Sequence, residues 1–197
     1  MTFASEISRE ELQSLPLVRF QGEIRVAESV READELVKLL EKSSVLGFDT
    51  ETRPSFTKGR INRVALLQLS TGKQACLFRL CKMPVPPNLI GLLSDPNLLK
   101  IGVALKNDMD VLCRSVHMQP KGFIDLQDMM KQFTIKDLGL AKMTGIILGV
   151  RISKSQQLSN WENAVLTEAQ QRYAATDAWA CYEIYRKLSS VRQIFRT

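Results

Sequence analysis
Histidine is all but missing from this chain. His117 is the only one, and it reads as a surface or interface residue. The four cysteines, Cys76, Cys81, Cys113 and Cys181, lack the paired spacing of a zinc site. They read as free thiols packed in a reduced cytosolic protein. No apolar run approaches the roughly 20 residues that a membrane span needs. Residues 1–6 carry neither the basic nor the apolar region of a secretory signal. A cytoplasmic protein is expected, or a nuclear one in a eukaryote, with no membrane partner. A glycine-rich phosphate loop is absent too, as are internal repeats and low-complexity segments.

Positive charge is present in excess. Lysine and arginine total 27 against 21 acids, giving a formal net charge of +6 and a pI near 9.3. Such a surface suits a polyanion, although charge alone does not name one. With 197 residues, 45% hydrophobic and 24% charged, the chain fits one soluble domain with a substantial core.

The densest chemistry lies in Val45-Leu46-Gly47-Phe48-Asp49-Thr50-Glu51-Thr52-Arg53-Pro54. Its apolar opening reads as a buried strand. Side chains at i and i+2 share a strand face, so Asp49 and Glu51 stand side by side while Thr50 points away. Carboxylates held that close repel, and one pKa is pushed up. A divalent cation between them relieves the repulsion, and oxygen ligands suit Mg²⁺ or Mn²⁺.

Residues 1–21 read as an N-terminal arm, with a short helix opened by the capping box Ser8-Arg9-Glu10-Glu11 and stopped before Pro16. An edge strand is expected over 22–26 and an amphipathic helix over 29–43. After the strand at 45–51 comes a basic stretch with Arg53, Lys58, Arg60 and Arg63 and no acid. Strands at 63–70 and 74–80 form a hairpin through Thr71-Gly72-Lys73. A helix at 88–94, a buried parallel strand at 98–105, a helix at 107–116, a strand at 122–125 and helices at 126–133 and 136–144 follow. Residues 149–163 read as a loop, basic at Arg151 and Lys154. The capping box at Thr167 starts a last helix to about residue 189, and 191–197 form a tail. This order implies an α/β sandwich with a mixed sheet.

Two further acids stand out. Asp108 follows the strand at 98–105, at the end of an α/β sheet where ligands collect. Asp110 is the competing choice, but on a helix it points to another side. Asp177 and Tyr173 are four residues apart and share a helical face with Ala180, Cys181, Ile184 and Leu188. An aspartate on such an apolar stripe is costly unless paired or bound to metal. Ala174, Ala178 and Ala180 allow this helix to approach the sheet closely. Asp125 reads as a turn or capping residue, Asp128 as a solvated acid and Glu162 as a local loop partner.

Phe48-Asp49-Thr50-Glu51-Thr52-Arg53-Pro54, Ile101-Gly102-Val103-Ala104-Leu105-Lys106-Asn107-Asp108 and Tyr173-Ala174-Ala175-Thr176-Asp177-Ala178 resemble the three motifs of the DEDDy 3′–5′ exonucleases. That family includes the Werner syndrome exonuclease domain and ribonuclease D. The similarity extends to Val64-Ala65-Leu66-Leu67-Gln68-Leu69 and Leu158-Ser159-Asn160-Trp161-Glu162 and covers residues 22–190. It implies a ribonuclease H-like three-layer α/β/α sandwich, and two divalent ions, Mg²⁺ or Mn²⁺, held by Asp49, Glu51, Asp108 and Asp177. It also implies that Tyr173 orients the attacking water, and that nucleoside 5′-monophosphates leave from the 3′ end of a single strand or duplex. The sister group has histidine at the tyrosine position, and His117 lies far from it in sequence. Candidate substrate contacts are Thr50, through its backbone, and Arg53, Lys58, Arg60, Arg151 and Lys154 on backbone phosphates. Trp161 reads as core packing. The substrate is expected to be DNA, with a ribonuclease D-type activity on RNA, or a catalytically silent binding module, as alternatives.

Overall fold
Apolar runs between residues 45 and 102 supply the middle of a mixed sheet. In the computed structural model residues 3–55 and 62–194 are described; Lys58 and Arg60 lie outside them. Among the described residues the sheet has six strands: β1 (Glu23–Ala27), β2 (Val45–Thr52), β3 (Val64–Ser70), β4 (Gln74–Phe78), β5 (Leu99–Gly102) and β6 (Phe123–Asp125). Their order is β1-β4-β3-β2-β5-β6, and β3 runs antiparallel to both its neighbours while the other pairings are parallel. β1 is an edge strand, as its alternation predicts. β3, between two partners and under helices on both faces, is buried at every position.

The helices are α1 (Arg9–Ser14), α2 (Val30–Leu40), α3 (Pro87–Ser94), α4 (Leu105–Ser115), α5 (Leu126–Met130), α6 (Leu140–Leu148) and α7 (Glu168–Ile194). Capping boxes start α1 at Ser8 and α2 at Ser29. On one sheet face, α2, α3 and α4 bury Leu36, Leu40, Leu89 and Leu112 with Phe48, Leu67, Leu69 and Phe78. On the other, α7 buries Cys181, Ile184 and Leu188 with Ile101 and with Met143 and Ile147 of α6. Each fully buried leucine of these layers contributes about 1.5–3 kcal/mol. The result is the α/β/α sandwich expected. No helix among the described residues is long and apolar enough to cross a membrane.

Several boundaries shift for local reasons. The strand expected to reach 105 stops at Gly102, because Ala104 takes a left-handed backbone (φ 55°) and turns the chain directly into α4. The helix expected over 136–144 forms over Leu140–Leu148. Before it, the Lys136 N–H donates to the Ser5 carbonyl, and Asp137 accepts from the Ile7 N–H, which holds this stretch extended. Gly145 continues the helix, facing Ile7, Leu12 and Leu15, and Gly149 (φ 71°) ends it. Residues 3–21 therefore lie along α6 and α7, where the Phe20 N–H also donates to Thr176 Oγ1 at 3.0 Å.

Among the described residues two cations are fully buried. The Lys100 ammonium donates to the carbonyls of Leu92 and Asp95 at the end of α3, and burial draws its pKa down to about 8. Arg79 ion-pairs with Glu28 at 3.0 Å and donates to the carbonyls of Asn163 and Ala164.

Candidate active site
Strand parity and one glycine bring the acids together. Gly47, Asp49 and Glu51 alternate onto the α7 face of β2, while Phe48 packs into the opposite layer. A Cβ on Gly47 would lie 1.8 Å from the Ala178 carbonyl oxygen. Only a residue without a side chain lets the α7 backbone rest on β2 here. Asp177, next to Ala178, is thereby lowered onto Asp49 and Glu51, and oxygens of the three carboxylates lie within 4.8 Å of one another. The register of β2 slips just after Glu51, a local irregularity of the kind that re-aims side chains beside active sites.

Asp108 arrives from the opposite layer, in the first turn of α4. The Asp125 carboxylate fixes that turn: it accepts from the N–H groups of Ala104 at 3.2 Å and Leu105 at 2.9 Å, and from Gln127 at the start of α5 at 2.9 Å. The expected capping residue thus caps two helices at once. Asp108 stands outside the tight trio, yet its charge raises the pKa of both Asp49 and Glu51. Asp110 is exposed. Thr50 points away from the strand acids, as parity requires. Its buried hydroxyl has no hydrogen bond of good geometry, but it is close enough to Asp108 to hold that carboxyl's pKa down somewhat.

Crowding and burial make this a strongly perturbed group of acids. Burial, then the charges of Asp177 and Asp108, lift Asp49 well above the ordinary carboxylate range. Glu51 is pushed up to about 10 by burial and by the Asp49, Asp177 and Asp108 charges. Asp177 rises to about 7 through burial, against the lowering effects of the Tyr173 hydroxyl and of Lys154. Asp108 rises to about 6 through burial. The Asp177 Oδ1 is buried without a hydrogen-bond partner among the described residues. Such a set is short of positive charge and has a lone pair to spare, so the residues present fit a divalent cation with oxygen ligands.

Tyr173 sits one turn before Asp177, and burial raises its phenol well above 10, which keeps it protonated at neutral pH. Trp161 is fully buried and packs on it, as core packing predicts. Lys154 is exposed, with its charge felt at Asp177. Arg53 pairs with Glu162 at 3.4 Å, which makes Glu162 the local partner expected of it. Arg151 is placed against the N-terminal segment, its Nε donating to the Leu15 carbonyl at 3.0 Å. His117 is exposed, and the four cysteines are free thiols.

A family model described as 3′–5′ exonuclease matches residues 24–192. This chain belongs to the 3′–5′ exonuclease family. It is 32% identical to the bifunctional 3′–5′ exonuclease/ATP-dependent helicase WRN of Mus musculus over 189 residues, which is 90% of this chain and 13% of that protein. A 3′–5′ exonuclease of Arabidopsis thaliana is 30% identical over 94% of this chain and 70% of its own length. The structure of Escherichia coli RNase D, an exoribonuclease involved in structured RNA processing, superimposes with a TM-score of 0.77 at 25% identity, covering 87% of this chain and 46% of that one. The resemblance read from the three motifs holds, and so does the ribonuclease H-like architecture it implied. The relatives thus include one whose name joins an exonuclease to an ATP-dependent helicase and one named for RNA.

Proposed function
We propose that this chain hydrolyses the terminal phosphodiester at the 3′ end of a nucleic acid strand, releasing nucleoside 5′-monophosphates one at a time. The observation that carries this reading is the convergence of Asp49, Glu51 and Asp177 within 4.8 Å, with Asp108 and Tyr173 beside them. When bound, two divalent ions, Mg²⁺ or Mn²⁺, supply a water of lowered pKa and neutralise charge on the phosphate and the leaving oxygen. Asp49, Glu51, Asp108 and Asp177 would hold them, and the positive charge would offset the burial that raises all four pKa values and the neighbouring carboxylate charges that add to it at Asp49 and Glu51. Tyr173 keeps its proton and donates it in a hydrogen bond that orients the attacking water; a phenol this basic does not serve as the base at neutral pH. The water gives up a proton to bulk solvent as its oxygen bonds to phosphorus and the P–O3′ bond breaks, and the departing strand ends in a 3′-hydroxyl after taking up a proton from solvent. In this reading Arg53, Lys154 and the backbone around Thr50 meet the terminal nucleotides; the charge of Lys154 felt at Asp177 supports it for that residue. Arg151 is engaged by the N-terminal segment through the Leu15 carbonyl.

The chemistry acts on phosphate and ignores the 2′ position, so the site accepts DNA, the principal reading, or RNA, which the likeness to RNase D supports. Oligonucleotides of both kinds, labelled at either end, separate the readings. Stepwise shortening from the 3′ end with Mg²⁺ or Mn²⁺, abolished by chelator and by Asp49→Ala, is the expected result. Binding without degradation would leave a silent module of the same fold, and shortening by Asp49→Ala at the wild-type rate would remove the assignment.

A further inference from the structure
The sheet register places Gln68 of β3 directly opposite Asp49 of β2. On the other side of Gln68 stands Leu77 of β4, and beyond it Val26 of β1. Residues directly opposed on neighbouring strands share a face. Leu77 and Val26 pack with Trp161, Ala174 and Tyr173, so the row Val26–Leu77–Gln68–Asp49 runs beneath α7. The row is apolar until its last two members, an amide and a carboxylate.

Gln68 is fully buried, and neither its amide nitrogen nor its carbonyl oxygen has a hydrogen-bond partner among the described residues. Trp161, in the apolar cluster that contains Leu77, has a buried indole N–H that is also unpartnered. A buried amide left unpaired is costly, and chain packing alone gives no reason for a glutamine here, where leucine or methionine would fill the space. The amide offers two donors and an acceptor. On one side is the Asp49 carboxylate; towards the other is the unpartnered Trp161 indole N–H.

We infer that Gln68 is a positioning residue of the metal site. Its Nε2–H donates to the Asp49 carboxylate opposite it, and its Oε1 accepts from the Trp161 indole N–H. This hydrogen-bond pair links Asp49 to the tryptophan that packs on Tyr173, so ligand and water-orienting phenol share one support. The inference rests on the reading of Asp49 as a ligand.

Gln68→Met keeps the volume and removes both hydrogen bonds. Titrating Mn²⁺ alone by calorimetry into wild type, Gln68→Met and Asp49→Ala, without nucleic acid, tests the role apart from activity. The expected result is a loss of Mn²⁺ affinity of about 10–100-fold in Gln68→Met, with kcat lowered and KM unchanged. Wild-type affinity and kcat in a folded Gln68→Met overturn the inference while leaving the exonuclease reading intact; wild-type Mn²⁺ binding and activity in Asp49→Ala overturn both. Should Gln68→Met not fold, the side-chain amide protons of Gln68 in the wild-type protein decide the matter by NMR. They shift on Mg²⁺ addition if Nε2 contacts Asp49, and stay fixed if the role is packing alone.

Discussion

The rings of Trp161 and Tyr173 lie 6.0 Å apart with their planes tilted by 36°. The tryptophan is sealed in the core and the tyrosine borders the acids, so the first sets the angle at which the second presents its hydroxyl. Tyr173→Phe keeps this ring contact and removes only the oxygen. Turnover is expected to fall about 10²-fold, with the melting temperature and Mn²⁺ binding little changed. Trp161→Ala, by contrast, should cost about 3–5 kcal/mol of stability, measured by denaturant unfolding.

Gly47→Ala tests the contact between β2 and α7. Its methyl group meets the Ala178 carbonyl oxygen, a backbone atom that cannot swing aside. Overpacking of this kind costs about 1–3 kcal/mol. The displacement also parts Asp177 from Asp49 and Glu51, so Mn²⁺ affinity should fall together with stability. Unchanged Mn²⁺ affinity in a destabilised variant would separate the helix contact from the site.

Without metal, the acids make stability depend on pH in an unusual direction. Asp108 at about 6, Asp177 at about 7 and Glu51 at about 10 all bind protons more tightly folded than unfolded. Their contribution is fully present below their unfolded pKa values, near 4, and is lost as pH rises through the folded ones. The paired acids whose pKa values are lowered, such as Glu28 and Glu32, work oppositely but are fully ionised in both states above about pH 6. With chelator present, melting temperature should therefore decline from about pH 6 to pH 8. Added Mn²⁺ should flatten or reverse that decline. A chelated profile that climbs across this range contradicts the clustering.

Asp125→Ala removes the acceptor from two helix starts at once. Each lost cap costs about 0.5–2 kcal/mol, so the sum should be plain in a denaturation curve. Exonuclease activity should drop further than stability explains, because Asp108 rides on one of those turns. Asp125→Asn keeps an acceptor oxygen and should recover most of the stability.

Much of this was readable before any coordinates. The pairing of Asp49 with Glu51 follows from strand alternation, and the inward face of Tyr173 and Asp177 from helical spacing, because both depend only on local periodicity. Asp108 needed the family motif, since nothing in its neighbourhood distinguishes it from Asp110 except the point at which α4 begins. That point is set by a left-handed alanine and by a carboxylate 21 residues from Ala104, neither of which leaves a periodic trace. Lys100 hid within a run read as apolar and Arg79 inside the strand read over 74–80, where a lone cation among apolar residues is the signal of a buried, paired charge. The later start of α6 came from contacts with residues 5 and 7, distant in sequence and invisible to any window.

The segment between Arg151 and Ala164 is moored at both ends. At one end Arg151 is stitched to Leu15 and Pro16; at the other the Arg79 guanidinium grips two successive carbonyls. Lys154, exposed on this span, therefore keeps its charge within reach of Asp177 while its side chain stays in solvent.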